Sequence, residues 1–146
     1  MLDEASGAAL LEKSRYDPSI LPQLEQYVTS QCTNATYDLD CNLATLKLYQ
    51  FHPDKSNPTI IAKILVKALM NLPRTDYLLC TYLVSEAAQE LEQISAISKI
   101  ASPLAAHVRN LTTTLLQLGQ IDELLSSVPG FNEAIREFML GTLQIT

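Results

Sequence analysis

Apolar positions recur along this chain with helical spacing, and the pattern is strongest between Asn57 and Pro73. There Thr59, Lys63, Lys67 and Asn71 fall four apart and form one narrow polar stripe. Ile60, Ile61, Ile64, Leu65, Val66, Ala68, Leu69, Met70 and Leu72 cover the rest of the circumference. A helix apolar on most sides is covered by neighbours on more than one side. Its ends are marked. Asn57 offers a side-chain oxygen to the first free amides. Pro58 stands where a missing N–H costs nothing, and Pro73 stops the helix after Leu72. The segment is too short to cross a bilayer, and two lysines interrupt it. Each fully buried Leu or Ile contributes roughly 1.5–3 kcal/mol relative to exposure, so this stretch is the expected centre of packing.

The flanking pattern predicts further helices. Leu2 to Lys13 is the first, weakened by Gly7, and residues 1–14 are expected to be loosely attached. After a turn at Ser14 to Pro18, Leu21, Leu24 and Val28 follow the three-then-four spacing of a second helix. Pro22 predicts a loose first turn there. Thr33 to Tyr37 reads as a connection. Asp38 is placed to cap a third helix, with Asp40 in its first turn. On that helix Leu39, Leu43 and Leu46 form one stripe, and Cys41, Ala44 and Leu48 form the next. Beyond Pro73, Thr75 is the expected cap of a helix whose buried face is Tyr77, Leu78, Leu79, Tyr82, Leu83 and Ala87. Leu91 to Ala101 continues it after a kink. Ser102-Pro103 opens the next helix, which ends at Gly119. Ile121 to Val128 and Phe131 to Leu143 complete the series.

That is about eight helices on short loops, which make sequential helices antiparallel neighbours. The expected fold is all-α: a helical-repeat array of the HEAT or TPR kind over residues 1–146, each hairpin burying its faces against the next. No fixed-period sequence repeat is visible, so any repeat is structural.

Composition narrows the function classes. With 47 % hydrophobic residues in 146, the chain has the material for one packed domain. The formal net charge of −6 argues against a large nucleic-acid surface, which needs clustered cations. No apolar run reaches membrane-spanning length, and the first residues lack a basic-then-apolar leader pattern, so a cytoplasmic chain with no membrane contact is expected. Cys32, Cys41 and Cys80 are odd in number and form no C-x-x-C pair. They read as reduced, half-buried thiols. Asn34-Ala-Thr36 and Asn110-Leu-Thr112 match the glycosylation pattern, which has no meaning in that compartment.

Chemistry finds little support. His52 and His107 have no second His, Cys or carboxylate at metal-ligand spacing, so no metal site is predicted. Cys41 stands beside Asp40 but no base is placed by pattern. No glycine-rich phosphate loop exists, and no cofactor or small-molecule substrate is expected. The most distinctive local motif is His52-Pro53-Asp54, followed by Lys55. That tripeptide between two helices resembles the J domain of Hsp70 co-chaperones, which also needs a basic preceding helix to meet an acidic partner. Here the preceding helix has one cation, Lys47, and begins with two aspartates. A connecting turn at Pro53 and Asp54 is the simpler reading.

Longer blocks carry a stronger resemblance. Arg15-Tyr-Asp-Pro18 with Leu24-Glu-Gln-Tyr-Val28, Tyr37-Asp-Leu-Asp-Cys-Asn-Leu-Ala-Thr-Leu-Lys-Leu-Tyr-Gln-Phe51, and Ile64-Leu-Val-Lys-Ala-Leu-Met-Asn-Leu-Pro-Arg-Thr-Asp76 resemble subunit k of eukaryotic translation initiation factor 3. Gly130-Phe-Asn-Glu-Ala-Ile-Arg-Glu-Phe138 does so more faintly. The resemblance implies the helical part of a PCI-type protein, similar to subunits of the proteasome lid and the COP9 signalosome. It implies a non-catalytic scaffold without cofactor, associated with subunit l and, through the complex, with the small ribosomal subunit. The family continues into a winged-helix domain. This chain stops at Thr146, about where that domain would start, so the expectation is the helical array without it. Phe131, Phe138 and Met139 on the last helix are then the candidate partner-binding residues.

Overall fold

A computed structural model of the chain describes residues 2–71 and 74–105. Among them are seven α-helices, two 3₁₀ turns and no strand: α1 (Glu4–Ser14), a 3₁₀ turn (Pro18–Ile20), α2 (Leu21–Asn34), α3 (Leu39–Phe51), a 3₁₀ turn (Pro53–Lys55), α4 (Pro58–Leu69), α5 (Asp76–Leu83), α6 (Glu86–Gln89) and α7 (Glu92–Ala105). The all-α reading holds. The helices lie in two rows. One row is α1, α3 and α5, the other α2, α4 and α7, and α2–α3 and α4–α5 pack between the rows. This is the hairpin array that short connections demand.

α4 is the centre. It packs against α2, α3, α5 and α7, and nine of its twelve residues, from Ile60 to Leu69, are buried. Asn57 Oδ1 accepts from Thr59 N at 3.1 Å, and Pro58 occupies the first turn. The helix ends at Leu69, earlier than the proline predicts. The lysine stripe is not a solvent face along its whole length. Lys67 is only 5 % exposed, and its burial lowers its pKa. The array covers α4 so broadly that one position of the stripe falls under a neighbour.

The other starts follow local chemistry. Asp3 and Ser6 close a reciprocal box at the head of α1, at 2.8 Å in each direction. Asp17 caps the 3₁₀ turn that precedes Pro22, the expected loose start of α2. Asp38 Oδ1 accepts from Cys41 N at 3.1 Å at the head of α3.

Four expectations are corrected. First, the inward face of α5 overlaps the expected one only at Tyr77 and Leu83, which are partly buried against the core. Asp76, Cys80 and Val84 are buried, while Leu78 (49 % exposed), Leu79 (42 %), Tyr82 (69 %) and also Ala87 face outward. Asp76 rotates the helix, because its carboxylate is held inside by Tyr37 Oη at 2.8 Å and Asn71 Nδ2 at 2.7 Å. Thr75 makes no side-chain cap. Second, the expected kink is a double break. Val84 is extended, and Ser85 Oγ accepts from Ala88 N at 3.2 Å to open the separate α6. Third, Ser102-Pro103 starts no helix, because α7 runs through it to Ala105. The missing N–H of one proline removes a single intrahelical bond. Fourth, the three cysteines are free but fully buried, not half-buried. The helices expected beyond Ala105 lie outside the described residues.

Candidate docking surfaces

Among the described residues the three cysteines and a set of paired polar side chains are inside the fold. Burial pushes the Cys41 thiol up to about 12, with the Asp38 carboxylate adding to the effect. Burial likewise holds Cys80 at about 12 and raises Cys32. Such thiols are protonated at neutral pH and poor nucleophiles. Tyr27 and Tyr37 are raised by burial first and then by donating to Asp38 and Asp76. Gln31 and Asn42 form a buried reciprocal amide pair between α2 and α3. Gln31 Nε2 donates to Asn42 Oδ1 at 2.8 Å, and Asn42 Nδ2 donates to Gln31 Oε1 at 3.1 Å. Gln31 Oε1 also accepts from Asp38 N at 2.9 Å, which joins the pair to the head of α3. Sequence reading missed these polar groups, because residues that satisfy one another inside look like solvent-facing ones. Among the described residues no three His, Cys, Asp or Glu side chains cluster as metal ligands.

His52, Pro53 and Asp54 form part of a connecting turn. His52 N donates to Leu48 O at 2.8 Å at the end of α3, and Lys55 N donates to His52 O at 3.0 Å. Pro53 and Asp54 are exposed. The lone cation of α3, Lys47, sits 5.1 Å from the centre of the Phe51 ring. This is the geometry of a capped helix end and a 3₁₀ turn, without the basic docking helix that a J domain requires. The co-chaperone reading is not favoured.

What remains is surface. Tyr16 and Phe51 are exposed and in contact, with ring centres 6.3 Å apart. Beside them Arg15 pairs with Asp40 at 3.1 Å. Leu78, Leu79 and Tyr82 make an exposed apolar row along α5. Leu65, Tyr77, Val84, Ile94, Ser98 and Lys99 line part of a cleft of ≈ 300 Å³ where α4, α5 and α7 meet. An open groove of ≈ 580 Å³ runs beside α2, between Glu25, Thr29, Ser30, Thr33, Asn34 and Ile60. Exposed apolar and aromatic rows of this kind are features that protein-contact surfaces use. Phe131, Phe138 and Met139, the residues singled out from sequence, lie outside the described residues, as does His107.

No family model matches the sequence. Whole-chain comparison is decisive. Eukaryotic translation initiation factor 3 subunit K from Bombyx mori is 43 % identical over 149 residues, which covers 99 % of this chain and 66 % of the relative. The subunit K of Homo sapiens is 38 % identical over 141 residues, covering 96 % of this chain and 63 % of its own length. The chain belongs to the subunit K family of initiation factor 3. The subunit K of Danio rerio is 37 % identical over the same share. The match runs along nearly the whole chain and includes the helical array described above. The chain spans 63–66 % of the length of these curated relatives. No described helix is long and apolar enough to cross a membrane.

Proposed function

We propose that the chain is a non-catalytic scaffold element of initiation factor 3 and supports translation initiation by surface contact. The observation that carries this reading is the 38–43 % identity to subunit K relatives across nearly the whole chain. The structure supports it in kind. Its thiols are buried, while its exposed features include apolar and aromatic rows. Its partners are other subunits of the factor, subunit l first among them. Contact with the small ribosomal subunit runs through the assembled complex, and the place of action is the cytoplasm. Phe131, Phe138 and Met139 are proposed as part of the contact surface.

The test is affinity capture from cytosolic extract with this chain as bait, read by mass spectrometry, with Asp54→Ala run beside it. Recovery of factor subunits, unchanged by Asp54→Ala, is expected. Recovery of an Hsp70 that Asp54→Ala abolishes, with no factor subunit, would overturn the proposal. Phe138→Ala is expected to weaken capture of a factor subunit while leaving the thermal unfolding of the bait in place. Unchanged capture removes Phe138 from the surface.

A further inference from the structure

α1 is attached to the rest of the fold by little. Of its eleven residues only Gly7 and Leu11 are buried, with Leu10 partly buried against the core, whereas α4 buries nine of twelve. The Asp3–Ser6 box is internal to the α1 segment and ties it to nothing else. The ion pair beyond its last turn, Arg15–Asp40, is exposed on both sides. Yet the α1 backbone lies close against the head of α3. A Cβ added at Gly7 would stand 3.0 Å from Cys41 Sγ, 3.4 Å from the Tyr27 ring and 3.7 Å from Asp38 Oδ2. A side chain larger than glycine there would press on the Cys41 thiol and the Tyr27 ring, which would have to give way.

Cys41, in the first turn of α3, is therefore covered by a thin element, and Cys32 and Cys80 stand elsewhere, in α2 and α5. We propose that α1 is a detachable cover: it lifts from α3 while the other helices stay packed, and its release turns Cys41 from a sealed thiol into a modifiable one. Local openings of this kind occur where few apolar contacts hold an element. Once uncovered, the thiol stands in water at a helix N-terminus, where the free amides favour the thiolate. Asp38 and Asp40 oppose that effect and Arg15 assists it.

The test uses the folded chain and 5,5′-dithiobis(2-nitrobenzoate). The thiolate of Cys41 attacks the probe's S–S bond, a new S–S bond to Cys41 forms, and the coloured aryl thiolate leaves. Release of colour gives the rate, and peptide mapping gives the position. Cys41 is expected to react first, at least about tenfold faster than Cys32 or Cys80, as local opening precedes global unfolding. Gly7→Val, which crowds the seat, is expected to speed Cys41 alone. Arg15→Ala, which removes the exposed pair with Asp40 but also a charge that favours the thiolate, is expected to do the same to a lesser extent once the rate is referred to the thiolate fraction. One common rate for all three cysteines overturns the proposal, as does a Cys41 slower than the others. A fast Cys41 that neither variant accelerates overturns it too, because access would then not run through α1.

Discussion

Ala35 ends α2 in the left-handed conformation, at φ 54°, the one non-glycine position with positive φ among the described residues. Its own N–H and that of Thr36 both reach Gln31 O, and these bonds hold the turn. A Cβ in that region costs about 1 kcal/mol. Ala35→Gly is therefore expected to stabilise the fold by about 0.5–1 kcal/mol, read as a higher urea midpoint at unchanged slope. Two tyrosines make a sharper pair. Tyr37 Oη donates to the buried Asp76 at 2.8 Å, so Tyr37→Phe strips a donor from a carboxylate and is expected to cost about 1.5–3 kcal/mol. Tyr49 Oη is buried and makes no hydrogen bond within ordinary geometry among the described residues, though burial and then the nearby Glu25 carboxylate raise its pKa. Tyr49→Phe is therefore expected to be neutral or to stabilise by up to about 1 kcal/mol. Equal losses in the two variants would refute this account of both hydroxyls.

At the scale of elements, α4 and α5 show what an apolar run does and does not disclose. Leu65 in α4 is buried, and Leu65→Ala is expected to cost about 2–5 kcal/mol. Leu79 in α5 belongs to an equally apolar run but faces outward, so Leu79→Ala is expected to cost less than about 0.5 kcal/mol. Denaturant melts of the two variants settle which face of α5 is inward. The position and N-terminal cap of α4 were legible, because Asn57, Pro58 and the apolar breadth act within one helix. So were the Asp38 cap and the loose turn before Pro22. The face of α5 was not legible, because it depends on Asp76 meeting Tyr37, thirty-nine residues earlier. The break at Ser85 left a readable trace, a serine followed by Glu86, but the apolar run through Leu83 outweighed it. The Gln31–Asn42 pair and the seat of Gly7 were invisible for the same reason: each is a contact between helices, and helical period carries no record of its partner. The candidate docking residues came from the resemblance and from the expected end of the chain, and the exposed row on α5 was read from sequence as core.

For the whole molecule, buried acids of high pKa fix the response to alkali. Burial holds Cys41 and Cys80 at about 12, above the ordinary 9.0, and Tyr27, Tyr37 and Tyr49 are raised in the same sense. A raised folded pKa favours the native state while the group keeps its proton. The thiol contribution is complete below pH 9.0 and is lost as pH climbs towards 12. Thermal midpoints by circular dichroism from about pH 8 to about pH 11 are expected to stay level at first and then fall. A midpoint that rises above pH 9.0 would contradict the burial of these thiols. The central place of α4 has one more consequence, in the order of synthesis. Translation delivers α1, α2 and α3 first, and the buried faces of α2 and α3 have no α4 to close on. The nascent α2 must wait, with part of its buried face open, until Ile60 to Leu69 has left the ribosome, and α3 keeps a face open until α5 follows. Folding during synthesis therefore advances in one late step rather than hairpin by hairpin, and a slow codon or stall before α4 leaves the longest-lived sticky intermediate.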